Sequence, residues 1–101
     1  MAELSIKKDG GLYDVQRFEI AGRVSATTVG DFEKAMNQAL QKGNHITVNM
    51  SKVTLLTSVG IRVILKTYKQ CVATHGKFLL EDPSQPVQNV LGLSALEQML
   101  K

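Results

Sequence analysis

Residues 46–65 read Ile46-Thr47-Val48-Asn49-Met50-Ser51-Lys52-Val53-Thr54-Leu55-Leu56-Thr57-Ser58-Val59-Gly60-Ile61-Arg62-Val63-Ile64-Leu65, and they decide the fold. Ile46, Val48 and Met50 alternate with Thr47 and Asn49, the period of a strand with one face in a core. Ser51 to Leu56 is expected to be a connection whose apolar tail tucks against that core. A helix then starts near Ser58, with Ile61, Ile64, Leu65, Tyr68 and Val72 as its buried stripe, and Gly76 ends it. Arg62, Lys66 and Lys69, at i, i+4 and i+7, share its exposed face. A strand feeding a helix through a short junction is half of a parallel β-α-β unit.

Downstream, Lys77 to Glu81 supplies the next strand, and Pro83-Ser84-Gln85-Pro86 opens a short helix, since proline is tolerated in a first turn. Gly92 breaks that helix, and Ser94 with Glu97 forms a capping-box pattern for a last turn carrying Leu96, Met99 and Leu100. Upstream, Leu4 and Ile6 alternate with polar neighbours, Asp9-Gly10-Gly11 offers a turn, and a second run spans Tyr13 to Ala21. These form a β-hairpin. Gly22 to Thr27 is a loop, and Thr27 or Thr28 can cap a helix on which Val29, Phe32, Met36, Ala39 and Leu40 recur until Gly43. The expected order is β-β-α-β-α-β-α-α. It is an α/β fold with a small mixed sheet of about four strands: an antiparallel hairpin, then right-handed parallel crossovers with helices packed on the sheet.

The 101 residues show no repeat or linker, so one domain is expected over 1–101. Hydrophobic residues at 44% and charged residues at 21% exclude a disordered chain. No apolar run approaches the roughly 18 residues that cross a bilayer. Met1 to Ser5 has neither the basic flank nor the apolar segment of a secretory signal. A lone Cys71 excludes an internal disulfide and a multi-cysteine metal site. The chain therefore reads as cytoplasmic. Its charge is uneven: Lys34, Lys42, Lys52, Arg62, Lys66, Lys69 and Lys77 fall in a block without a single Asp or Glu. Such a block suits an acidic partner, and equally describes exposed positions that carry lysine.

Enzyme signatures are sparse. His45 and His75 have no partner nearby in sequence, no phosphate-cradling glycine motif occurs, and no carboxylate pair is placed for acid–base work. Cys71 sits beside Val72 and Ala73 as small core filler. No catalytic residue, cofactor or metal is expected, so the chain reads as a binding protein. Aromatics at 5%, with no tryptophan, give no stacking platform for nucleic acid. One loop stands out. Thr57 and Ser58 place two hydroxyls where a helix begins, and either can serve as an N-cap worth about 1 kcal/mol. Either can also carry a phosphoryl group, whose charge a helix N-terminus stabilises.

At this loop the chain resembles the STAS domain, the family of bacterial anti-sigma factor antagonists and of sulfate-transporter tails. Phe18-Glu19-Ile20-Ala21-Gly22-Arg23-Val24 resembles the family's strand ending in glycine, and Ile46 to Val53 its central strand and following loop. Thr57 to Leu65 resembles the signature helix, Gly76 to Leu80 and Val90 to Leu96 the tail. The resemblance implies a STAS-like fold and a partner switch. An unphosphorylated antagonist binds an anti-sigma factor with serine kinase activity and frees a sigma factor. Phosphorylation weakens the complex, and a phosphatase resets it. Carried onto this chain, the partner-binding residues are Thr57, Ser58, Val59, Gly60, Arg62, Lys66, Lys69 and Ser25. The chain departs from the pattern at Val59, where the usual acceptor falls, at Thr57, in place of an acid, and at Asn49 and Ser25, where the family often has Asp. Either phosphorylation has moved to Ser58, the expected site, with Thr57 as the alternative, or the chain is a constitutive binder. A small STAS subunit of a phospholipid-transport ABC complex, docking on its ATPase, is the alternative function.

Overall fold

The computed structural model describes residues 3–8 and 15–91. The elements are β1 (Leu4–Lys8), β2 (Gln16–Val24), α1 (Val29–Lys42), β3 (His45–Leu56), α2 (Ser58–Ala73), β4 (Lys77–Glu81) and α3 (Gln85–Leu91). They form one sheet in the order β1-β2-β3-β4. β1 pairs antiparallel with β2, and β2–β3 and β3–β4 are parallel, as the hairpin and crossovers require. The Asp9–Gly11 turn, Tyr13, Gly92 and the Ser94–Glu97 capping box lie outside the described residues.

One sheet face makes the core. Phe18 and Ile20 of β2, Ile46, Val48 and Met50 of β3, and Phe78 and Leu80 of β4 are all buried there. Phe32, Met36 and Ala39 of α1, spaced for one helical face, join them together with Val63, Ile64 and Cys71 of α2. Burying such side chains stabilises by about 1.5–3 kcal/mol each. α3 contributes the fully buried Val87. It is held beside the second half of β3 by Ser84, whose N–H donates to the Met50 carbonyl at 3.1 Å and whose hydroxyl donates to the Val53 carbonyl at 2.6 Å.

Three expectations need correction. Gly22, Arg23 and Val24 are not loop but the end of β2, paired with Val53, Leu55 and Leu56. Ser51–Leu56 is not a connection but the second half of a 12-residue β3. Register shifts between Glu19 and Ala21 and between Gly22 and Arg23 bend the β2–β3 ladder, and such irregularities break the period-2 pattern. The buried stripe of α2 is also rotated. Gly60, Val63, Ile64, Thr67 and Cys71 are buried, Ile61, Leu65 and Tyr68 pack only partly, and Val72 is 50% exposed. Thr67 can be buried because its hydroxyl donates to the Val63 carbonyl at 2.8 Å.

The opposite sheet face is polar. Register aligns Glu19, Asn49 and Glu81 across three strands. Asn49 is buried and satisfied: Nδ2 donates to Glu81 at 3.0 Å, and Oδ1 accepts from the Ser51 N–H at 3.0 Å and hydroxyl at 2.7 Å. Arg17 pairs with Glu81. Lys52 donates to Glu19 at 2.9 Å; that hydrogen bond, then the ammonium charge, holds the Glu19 carboxyl below the usual carboxylate range.

Candidate functional site

The parallel arrangement brings the β2–α1 and β3–α2 junctions to one edge of the sheet, beyond the carboxyl ends of β2 and β3. In open α/β sheets that edge is where ligands and partners engage. Thr57 ties the two junctions together. Its N–H and its hydroxyl both donate to the Val24 carbonyl, each at 3.1 Å. Ser25, the residue that follows β2, therefore sits near the start of α2.

The hydroxyls of the first junction are spent on its own geometry. Thr28 is buried, donates to the Arg23 carbonyl at 2.7 Å and accepts from the Ser25 N–H at 2.9 Å. The hydroxyls of Ser25 and Thr27 lie 3.1 Å apart, and Thr27 donates to Glu3 at 3.1 Å. Thr28 stands at the N-cap position of α1, but its side chain makes no cap hydrogen bond.

The second junction differs. Thr57 is the N-cap residue of α2, in extended backbone, again without a side-chain cap hydrogen bond. Neither Thr57 nor Ser58 is therefore the side-chain cap that the sequence suggested; the Val24 carbonyl has captured the Thr57 hydroxyl instead. Ser58 is the first residue of α2 and is exposed. Its hydroxyl makes no hydrogen bond among the described residues. The Thr57 carbonyl accepts from the N–H groups of Gly60 at 3.0 Å and Ile61 at 3.1 Å. The N–H groups of Ser58 and Val59 keep no backbone partner among the described residues, as at any helix start. No acidic residue lies in the first turn, so the positive end of the helix dipole is uncompensated there.

Gly60 fixes how closely α2 approaches. A Cβ at this position would lie 2.6 Å from Val24 Cγ1 and 2.7 Å from Leu56 Cδ1. The missing side chain is what lets the helix start rest on the ends of β2 and β3. Val59 is half-buried beside it.

Arg62, Lys66 and Lys69 are all exposed along α2. Lys66 reaches Glu33 of α1 at 3.7 Å, whereas Arg62 and Lys69 have no ion-pair partner among the described residues. The acid-free block does not gather on one face: Lys52 is paired with Glu19 across the ladder, and Lys77 begins β4. The partners that sequence did not reveal are the Val24 carbonyl, Glu33 and the Thr28 knot. Val24 and Glu33 each lie 33 positions from the residue they touch, and the Thr28 knot closes within a loop whose hydroxyls look interchangeable in sequence. Burial pushes the Cys71 thiol up, which keeps it protonated in the core. No helix among the described residues is long and apolar enough to cross a membrane.

This fold and junction geometry define a class, and the comparison with known families agrees with it. The STAS-domain family matches residues 9–101, and the chain belongs to that family. Among solved structures, the chain is similar to the Bacillus anti-sigma factor antagonist SpoIIAA in its unphosphorylated form, with a TM-score of 0.82, 18% identity and coverage of 96% of this chain and 86% of that one. The phosphorylated form of SpoIIAA gives 0.77 and 17%, covering 96% and 89%. Similarity extends to the Thermotoga maritima protein TM1081, a candidate anti-sigma factor antagonist, with a TM-score of 0.78, 25% identity and coverage of 97% and 83%. No curated protein sequence matches the chain.

Proposed function

We propose that the protein is an anti-sigma factor antagonist of the partner-switching type. It binds an anti-sigma factor with serine kinase activity through Thr57, Ser58, Val59, Gly60, Arg62, Lys66, Lys69 and Ser25, and frees a sigma factor. Ser58 is the phosphorylation site, a phosphatase resets it, and the switch operates in the cytoplasm. The observation that carries this function is the exposed Ser58 hydroxyl, free of hydrogen bonds among the described residues, at the start of a helix seated on Gly60. The Thr57 hydroxyl is half-buried and engaged with Val24, which favours Ser58 over Thr57 as acceptor.

The mechanism is electrostatic. A phosphoryl group adds about −1.5 to −2 charge at neutral pH. On Ser58 it would rest at the N-terminal end of α2, so the fold survives while the surface changes sign. A partner that closes over a neutral hydroxyl must then desolvate a dianion. Arg62 and Lys69 steer an acidic partner toward the same surface.

The test uses the purified kinase partner with the unmodified protein, Ser58→Ala and Thr57→Ala, read by intact mass. One phosphate on the unmodified protein and on Thr57→Ala, and none on Ser58→Ala, is the expected pattern. A phosphate retained on Ser58→Ala would refute the assignment.

A further inference from the structure

β1 runs antiparallel to β2, so its first residues lie at the carboxyl end of β2, on the sheet edge that carries both junctions; Leu4 pairs with Gly22 there. Glu3 comes just before it. The Arg23 N–H donates to the Glu3 carbonyl at 2.9 Å. Gly22 has a φ of +106°, and a Cβ on it would collide with that same carbonyl. A side chain at this position would strain the backbone and push Glu3 away. Its absence holds Glu3 against the first junction.

The Glu3 carboxylate is aimed as well as placed. Its Oε2 accepts from the Thr27 hydroxyl at 3.1 Å, and Thr27 Oγ1 lies 3.1 Å from Ser25 Oγ. One donor leaves most of a carboxylate's acceptor capacity unused. Glu19, Glu33 and Glu81 each face a cation, Lys52, Lys66 and Arg17 respectively. Glu3 is exposed and has no ion-pair partner among the described residues. Arg23, exposed nearby, has none either. Asp31 adds a second acid in the first turn of α1, whereas the first turn of α2 has no acid and Arg62 follows it. The two junctions therefore differ in charge.

We propose that Glu3 belongs to the docking surface and receives a basic side chain of the anti-sigma factor, which fixes the orientation in which that partner binds. This inference rests on the function proposed above. The partner presents a cation to the β2–α1 junction and an acidic surface to α2. Turned the other way, it meets like charges at both junctions, which selects one orientation. Thr27 is a positioning residue. Its hydroxyl holds the carboxylate in place, so less side-chain freedom is lost when the cation arrives.

The experiment measures binding of the kinase partner to the unmodified protein, Glu3→Gln, Thr27→Val and the double variant. Glu3→Gln keeps an acceptor for Thr27 and removes only the charge, so the denaturation midpoint should not move. Its affinity should fall about five- to tenfold, mostly through faster dissociation. The deficit should shrink at about 1 M salt, where charges are screened. Thr27→Val alone should weaken binding about two- to threefold. Added to Glu3→Gln it should cost nothing more, because it acts through the carboxylate. Equal weakening by Thr27→Val in both backgrounds would overturn the positioning role. Glu3→Gln binding as tightly as the unmodified protein would overturn the Glu3 anchor and leave the proposed function standing. A kinase partner that does not bind the unmodified protein would overturn both.

Discussion

Two junctions lie side by side on one sheet edge and use the same residue types in opposite ways. Between β2 and α1, Thr28 and Ser25 knot the turn, and Thr27 reaches Glu3. Between β3 and α2, Thr57 spends its hydroxyl on Val24 and leaves Ser58 free among the described residues. A hydroxyl that closes a turn cannot be modified without opening it. One that bonds nothing and faces solvent can take a phosphate at little structural cost. Availability, not residue type, distinguishes the candidate.

The contrast can be broken most forcefully through packing and the buried knot. Gly60→Ala pushes a Cβ against Val24 and Leu56, and overpacking of this kind costs about 1–3 kcal/mol. A lowered denaturation midpoint with unchanged m-value is the expected readout. Thr28→Val keeps the shape but strands the Arg23 carbonyl and the Ser25 N–H, for a loss of about 1–3 kcal/mol in the same measurement. Thr57→Val removes one bond to a carbonyl that retains the Thr57 N–H, so about 0.5–1.5 kcal/mol is expected. Ser58→Ala, with no bond to lose, should stay within about 0.5 kcal/mol of the unmodified protein. A Ser58→Ala loss as large as that of Thr28→Val would erase the distinction between the junctions.

The polar sheet face supplies the smallest effect. Lys52 lowers the Glu19 pKa, so Glu19 adds stability above its unfolded-state pKa. That stability fades as the pH falls through the lowered folded value. Lys52→Met should flatten this acid limb by slightly lowering stability near neutral pH, with no change below both pKa values, and the effect is small because the Lys52 ammonium is exposed.

Much of the fold was legible because its signals are local. The alternation of Ile46, Val48 and Met50, the spacing of Phe32, Met36 and Ala39, and the short junctions sufficed for element order and strand direction. The second half of β3 was not, since its ladder with β2 is irregular and a bent strand loses its period. The α2 stripe expected from bulky apolar spacing includes Val72 and Tyr68, whereas Gly60, Thr67 and Cys71 are the buried positions it omits. Gly60, Thr67 and Cys71 join Val63 and Ile64 on the buried face, while Leu65, Tyr68 and Val72 lie at its flanks. At the candidate site, Arg62, Lys66 and Lys69 were readable as exposed from spacing alone. The state of each hydroxyl was not, because Thr57 and Thr28 are engaged by main-chain carbonyls from β2.

Charge on the α2 face sharpens the comparison from the partner's side. Lys66→Glu with Lys69→Glu should slow association with the kinase partner and flatten its salt dependence, since exposed charges act mainly by steering.

The most direct measurement is the equilibrium affinity of the anti-sigma kinase partner for the unmodified protein, Ser58→Ala and Ser58→Asp. All three should first give matching denaturation midpoints, because a carboxylate at a helix start is tolerated. Ser58→Ala should bind as the unmodified protein does. Ser58→Asp should bind about 5–150-fold more weakly, corresponding to about 1–3 kcal/mol for a charge left poorly paired in the interface. Equal affinity of Ser58→Asp and the unmodified protein would contradict the switch at Ser58.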